Sequence, residues 1–143
     1  MKTVKDLLED KGTQVFSLAP GDMVYDAIKM MAEKGVGALL VLEGTRLAGI
    51  VSERDYARKV ILQGKRSQET PVRDIMTTKV VCVSKDRTVE DCMALMTDKR
   101  IRHLPVIEHD TVIGIISIGD VVRGVISEKE FLIEQLEKYI TSG

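Results

Sequence analysis

Two short stretches carry residue types from which a binding site could be built. Gly49-Ile50-Val51-Ser52-Glu53-Arg54-Asp55 returns as Gly114-Ile115-Ile116-Ser117-Ile118-Gly119-Asp120, 65 residues further on. In each, β-branched apolar residues lead to a hydroxyl and then to a carboxylate three positions later. That order predicts a strand ending at a serine that opens a helix. Free backbone N–H groups and the positive end of the helix dipole converge at such a corner, which suits an anion. Asp55 and Asp120, one turn in, can each accept hydrogen bonds from two adjacent hydroxyls, as on the vicinal diol of a sugar. Each bond to a charged acceptor contributes roughly 1.5–3 kcal/mol. A second role fits the same residues: Ser-x-x-Asp before a helix is a capping-box variant, contributing about 1 kcal/mol to the fold. The two roles are compatible, because a capping serine can still border a ligand.

The elements that must position these residues are themselves repeated. Thr13, Val15, Val24, Asp26, Met31, Leu39, Val41, Glu43, Arg58 and Val60 all recur identically 65 residues on. Ahead of that block, Val4-Lys5-Asp6-Leu7-Leu8 is echoed by Val72-Arg73-Asp74-Ile75-Met76 at an offset of 68. Val24, Ala27, Ile28 and Met31 form one apolar helical face, and Val89, Cys92, Met93 and Met96 form its counterpart. Ala38–Leu42 is a continuous apolar run, as in a strand covered on both faces. It pairs with Leu47–Val51 as a hairpin, and Leu104–Ile107 with Val112–Ile116 repeat that hairpin. Thr3 and Asp22 are expected as helix caps, a strand is expected at Val15–Leu18, and Thr70-Pro71 is expected to start a helix. Ser127 with Glu130 reads as a capping box for a separate amphipathic helix from Glu128. The chain thus divides into a first repeat (1–64), a linker (65–69), a second repeat (70–127) and a C-terminal helix (128–143). Each half reads helix, strand, helix, strand, strand, helix, an α/β (α+β) architecture. One half is too small to bury much surface alone, so the halves are expected to pack about a pseudo-twofold axis.

Composition narrows the function. A net charge of −1 and the lack of Trp leave no basic footprint or stacking platform for nucleic acid. Two cysteines do not make a disulfide scaffold, and each reads as a small buried residue in a reducing compartment. No apolar run reaches membrane-spanning length, and the first residues lack the apolar segment of a signal peptide, so a cytoplasmic location is expected. Gly35-Val36-Gly37 lacks the third glycine of a dinucleotide fingerprint, and Ile50 stands where a P-loop needs Lys. Neither serine has a recognisable His with an orienting carboxylate, and no His or Cys has metal-ligand spacing. No constellation supports an enzyme, and no catalytic residue or metal ligand is assigned.

The paired Gly-Ile-(Val/Ile)-Ser-x-x-Asp stretches, the repeated β-α-β-β-α order and Ile101-Arg102-His103-Leu104-Pro105-Val106 together resemble the CBS domain, the module named for cystathionine beta-synthase. The resemblance spans roughly Val4 to Ile126, as a free-standing tandem pair. It implies a regulatory module that binds adenine nucleotides in clefts between the repeats, with the Asp on ribose and the Ser near phosphate. AMP is the leading ligand, with ATP, ADP or NAD(H) next, no cofactor required, and a homodimer acting on a regulated protein that the sequence does not identify. The alternative is a ligand-free structural or oligomerisation module. Carried over, one site comprises Ser52, Arg54 and Asp55 with Thr78, Lys79, Val81, Ile101, Arg102 and His103. The other comprises Ser117 and Asp120 with Thr13, Gln14, Phe16, Val36 and Gly37. Because Gly37 and Ala38 occupy the positions matching Arg102 and His103, the Asp55 site is expected to be the better one for phosphate.

Overall fold

The computed structural model describes residues 1–142. In chain order the elements are α1 (Val4–Lys11), β1 (Ser17–Leu18), α2 (Val24–Lys34), β2 (Ala38–Glu43), β3 (Arg46–Ser52) and α3 (Glu53–Tyr56). A π-helical turn (Ala57–Ile61) and a 3-10 turn (Val72–Asp74) follow. Then come α4 (Val89–Lys99), β4 (His103–Glu108), β5 (Thr111–Ser117) and α5 (Ile118–Ser142). Among the described residues no helix is long and apolar enough to cross a membrane.

These elements gather into two compact units, and neither coincides with a contiguous half of the chain. One unit joins residues 14–81 and 109–112, and the other joins 1–13, 82–108 and the chain from 113 on. The lead-in segment of each half therefore packs with the hairpin of the opposite half.

In the first unit, β1 runs parallel to β2, and β2 pairs antiparallel with β3 from Ala38↔Ser52 to Glu43↔Arg46. β2 is buried from Ala38 through Val41, as its unbroken apolar run requires. The core joins the inner face of α2 (Val24, Ala27, Met31) to Leu39, Val41 and Val51. Val72 and Ile75, from the lead-in of the second half, complete it. Gly35 ends α2 in a left-handed conformation (φ 66°), which a residue without Cβ adopts freely. In the second unit, β4 pairs with β5, and Val83 forms a single parallel bridge to Val106 where the first unit has β1. Val4, Leu7 and Leu8 of α1 are buried, as are Val89, Cys92 and Met96 of α4. Burial pushes the Cys92 thiol up, to about 11, so it is an inert packing residue.

The glycine that opens each repeated stretch has a packing reason. A Cβ on Gly49 would lie 2.8 Å from Met76 Sδ and from the Thr77 carbonyl oxygen. A Cβ on Gly114 would lie 2.7 Å from Leu8 Cδ2. Met76 and Leu8 are the matching residues of the two lead-ins, so each hairpin leaves room for the lead-in it receives.

Four local expectations are corrected. Asp22 does not cap α2, because its carboxylate accepts the Ala19 N–H within the preceding turn (2.9 Å), and Met23 takes the cap position without a side-chain bond. The first strand is only Ser17–Leu18; Phe16 contributes a carbonyl to the Leu40 N–H without being a strand residue. Thr70-Pro71 does not begin an α-helix: Pro71 is extended and one 3-10 turn follows, while the Thr70 hydroxyl donates back to the Arg66 carbonyl (2.8 Å). Ser127 is not a cap. Nothing between Ser117 and Ser127 breaks the helix, so α5 runs unbroken through it, and its hydroxyl accepts from Lys2 Nζ instead (3.2 Å).

Candidate functional site

Both Ser-x-x-Asp stretches form the expected strand-to-helix corners. At the first, the Ser52 hydroxyl accepts the Asp55 N–H (3.1 Å), and Asp55 Oδ2 accepts the Ser52 N–H and hydroxyl (3.0 Å each). This is a closed capping box. Asp55 Oδ1 pairs with Lys59 Nζ one turn on (3.1 Å), and the same ammonium donates to the Ile75 carbonyl (2.9 Å). The Glu53 N–H donates to the Gly37 carbonyl, and Ile50 exchanges two backbone bonds with Thr77.

The second corner keeps the same frame. The Ser117 hydroxyl accepts the Asp120 N–H (3.2 Å), and Asp120 Oδ2 accepts the Ser117 N–H (2.8 Å). Its cations are different. Lys11 Nζ, from the end of α1, lies 2.5 Å from Asp120 Oδ2 and also donates to the Ile115 carbonyl (2.8 Å). Arg123 Nη2 lies 2.7 Å from Asp120 Oδ1. The counterpart of Lys59 here is Gly124, where a Cβ would stand 2.7 Å from Leu7 Cδ2. A side chain at 124 would require Leu7 to shift, and here α1 supplies the charge. Lys2, Asp10, Lys11, Asp120 and Arg123 border a cavity of about 330 Å³ in this unit, where Lys2 pairs with Asp10 (3.6 Å).

Asp120 is 8 % exposed at its side chain. Burial raises its pKa, but the Lys11 ammonium and the Ser117 N–H and hydroxyl outweigh that and hold the carboxyl below the usual carboxylate value. His103, partly buried, is pushed down chiefly by that burial and next by Lys11, against the opposing pull of Asp120.

The units sort the expected site residues. Arg54, Thr78, Lys79 and Val81 belong with Ser52 and Asp55, and Thr13 belongs with Ser117 and Asp120. Arg54, Thr78, Lys79 and Thr13 are exposed. Ile101, Arg102 and His103, expected to complete the Asp55 site, belong to the unit of Asp120, where the Ile118 N–H donates to the Arg102 carbonyl (2.8 Å). Gln14, Phe16, Val36 and Gly37, expected beside Asp120, belong to the unit of Asp55. Phe16 and Val36 pack against that unit's core, with Lys34 Nζ 5.2 Å above the Phe16 ring. Within one repeat the hairpin returns the end of its second strand to the start of its first, as Ala38↔Ser52 shows. Lys11, Lys59 and Arg123 were not anticipated as carboxylate partners. Arg58 and Arg123 recur across the repeats, a legible signal, whereas the reach of Lys11 depends on which half α1 joins.

A family model for the CBS domain matches residues 4–61 and again 72–127. The mitochondrial CBS domain-containing protein CBSX3 of Arabidopsis thaliana is 45 % identical over 150 residues, covering 99 % of this chain and 73 % of its own length. A CBS-domain protein from Burkholderia ambifaria superposes with a TM-score of 0.85 at 53 % identity, covering 88 % of this chain and 95 % of that one. At the level of fold, the CBS domain pair of MJ0100, solved with 5′-methylthioadenosine and S-adenosyl-L-methionine, gives a TM-score of 0.79 at 23 % identity, over 90 % of this chain and 98 % of that one. Two family matches that between them span the repeated elements, each with its own Ser-x-x-Asp corner, make this chain a member of the CBS domain family, built as a tandem pair of a known regulatory module.

Proposed function

We propose that the chain is a regulatory module that senses an adenosine-bearing nucleotide at its strand-to-helix corners. The observation that carries this reading is the second corner. A buried carboxylate suited to a ribose diol stands beside a cavity bordered by Lys11 and Arg123 and by Lys2, which pairs there with Asp10. AMP is the leading ligand, with ATP, ADP or NAD(H) next. We rank the Asp120 corner first for a phosphate on its own cations, Lys11 and Arg123, whereas the sequence expectation put the Asp55 site first, with Arg102 and His103 supplied from the other half. The Asp55 corner, with Arg54, Lys59, Thr78, Lys79 and Val81 in its unit, is the second site. Occupancy acts by favouring one conformation of the pair over another, a shift limited by the ligand's differential affinity for the two.

The test is a melting screen with AMP, ADP, ATP, NAD, NADH and S-adenosylmethionine. A ligand at a hundred times its Kd stabilises the fold by about 2.7 kcal/mol. Asp120→Ala is expected to abolish the larger shift and Asp55→Ala to leave most of it. A melting temperature indifferent to the whole panel favours the second reading, an oligomerisation module. The exposed Phe131, Leu132, Leu136 and Ile140 of α5 favour that reading, as a surface for a second copy.

A further inference from the structure

The Asp120 carboxylate has both oxygens in use. Oδ2 accepts from Lys11 and the Ser117 N–H, and Oδ1 from Arg123. A diol needs both oxygens as acceptors, so a ribose reaches Asp120 only by displacing at least one cation. Arg123 is largely exposed (73 % of its side chain) and water can solvate it once it leaves. Lys11 is two-thirds covered, and Asp120 is its only anionic partner among the contacts of the described residues. Displacing it without replacing that charge leaves a partly desolvated ammonium unpaired. Gly124 offers no cation of its own from α5, and a side chain there would have to move Leu7.

From this geometry we infer that Lys11 is a displaceable latch that restricts the Asp120 corner to phosphorylated nucleosides. The inference rests on the adenosine-nucleotide reading and adds the basis of its selectivity. In the free chain Lys11 occupies the carboxylate. When a nucleotide arrives, its ribose hydroxyls take the carboxylate, and its phosphate re-pairs the released Lys11, with Arg123 bordering the same cavity and Lys2 there paired with Asp10. A neutral nucleoside offers Lys11 nothing in exchange, and a sulfonium nucleoside adds a like charge beside it. The corner therefore favours a phosphate-bearing nucleoside over adenosine, 5′-methylthioadenosine and S-adenosylmethionine.

The test is calorimetric titration of AMP and adenosine into the full chain and into Lys11→Met. The parent is expected to bind AMP at least about tenfold more tightly than adenosine, roughly the worth of one charge-assisted contact. Lys11→Met is expected to narrow that ratio several-fold from both sides, binding AMP more weakly and adenosine more tightly because the carboxylate is no longer blocked. Lys11→Arg keeps the charge and is expected to keep the ratio. Lys11→Gln, which retains a donor toward Asp120, replaces Lys11→Met if the latter does not fold. An unchanged ratio in the uncharged variant overturns the latch while leaving nucleotide binding intact. Absence of binding by either ligand to the parent overturns the nucleotide reading, and the latch with it.

Discussion

At the residue scale, the two corners show how one sequence pattern supports unequal electrostatics. Ser52 and Asp55 close a capping box within their own helix turn, and the neighbouring lysine on that helix neutralises the carboxylate. Asp120 is neutralised from another element, and its neighbour His103 feels the consequence. Burial and the Lys11 ammonium favour the neutral imidazole in the fold, while the unfolded chain binds a proton near the ordinary value of 6.5. The unfolded state then binds more protons over the interval below 6.5, so stability is full above that pH and is lost as pH falls through the lowered folded value. The slope is at most about 1.4 kcal/mol per pH unit for one proton. Urea unfolding at pH 7.5 and 5.5 should show a larger loss for the parent than for His103→Gln. The charged groups facing His103 are Lys11, Asp120 and Arg102. An equal loss in both proteins assigns the pH dependence to other groups.

At the element scale, each lead-in and the hairpin it meets are fitted through a missing side chain. The contact at Gly49 includes the backbone oxygen of Thr77, which accepts the Ile50 N–H, while the Thr77 N–H donates to the Ile50 carbonyl. The contact at Gly114 is the flexible end of Leu8. Overpacking of this kind costs typically 1–3 kcal/mol, and less where the neighbour can turn away. Gly49→Ala is therefore expected near the upper end and Gly114→Ala near the lower end, measured by denaturant unfolding. Equal costs would mean that the Leu8 contact is as rigid as the backbone one. The same pair shows what was legible. The recurrence of glycine at 49 and 114 is plain in the sequence, and so is the strand on which it sits. Its reason is not, because Met76 and Leu8 approach from segments distant in sequence.

At the scale of the whole molecule, the compact units cut across the repeats. Residues 1–13 belong with 82–108 and with the chain from 113 on, and residues through Val81 belong with the first hairpin. A chain that begins at Thr13 should then lose amide-exchange protection in α4, β4 and β5, whose unit has lost Val4, Leu7 and Leu8. Protection in α2, β2 and β3 should persist, because the core of that unit takes nothing from residues 1–12. If the contiguous repeats were the structural units, the loss would fall on α2, β2 and β3 instead. Exchange measured residue by residue separates the two.

The sequence by itself determined the tandem repeat, the two hairpins, the apolar faces of α2 and α4 and the chemistry of both corners. These follow from patterns within a few residues: periodicity, turn residues and a hydroxyl placed three positions before a carboxylate. Tertiary structure alone decided which lead-in joins which hairpin, and hence that Lys11 reaches Asp120. The α1 sequence is compatible with either half, and the choice is made by long-range fit: Leu8 against Gly114, Leu7 against Gly124, and an ammonium brought to a carboxylate more than a hundred residues away.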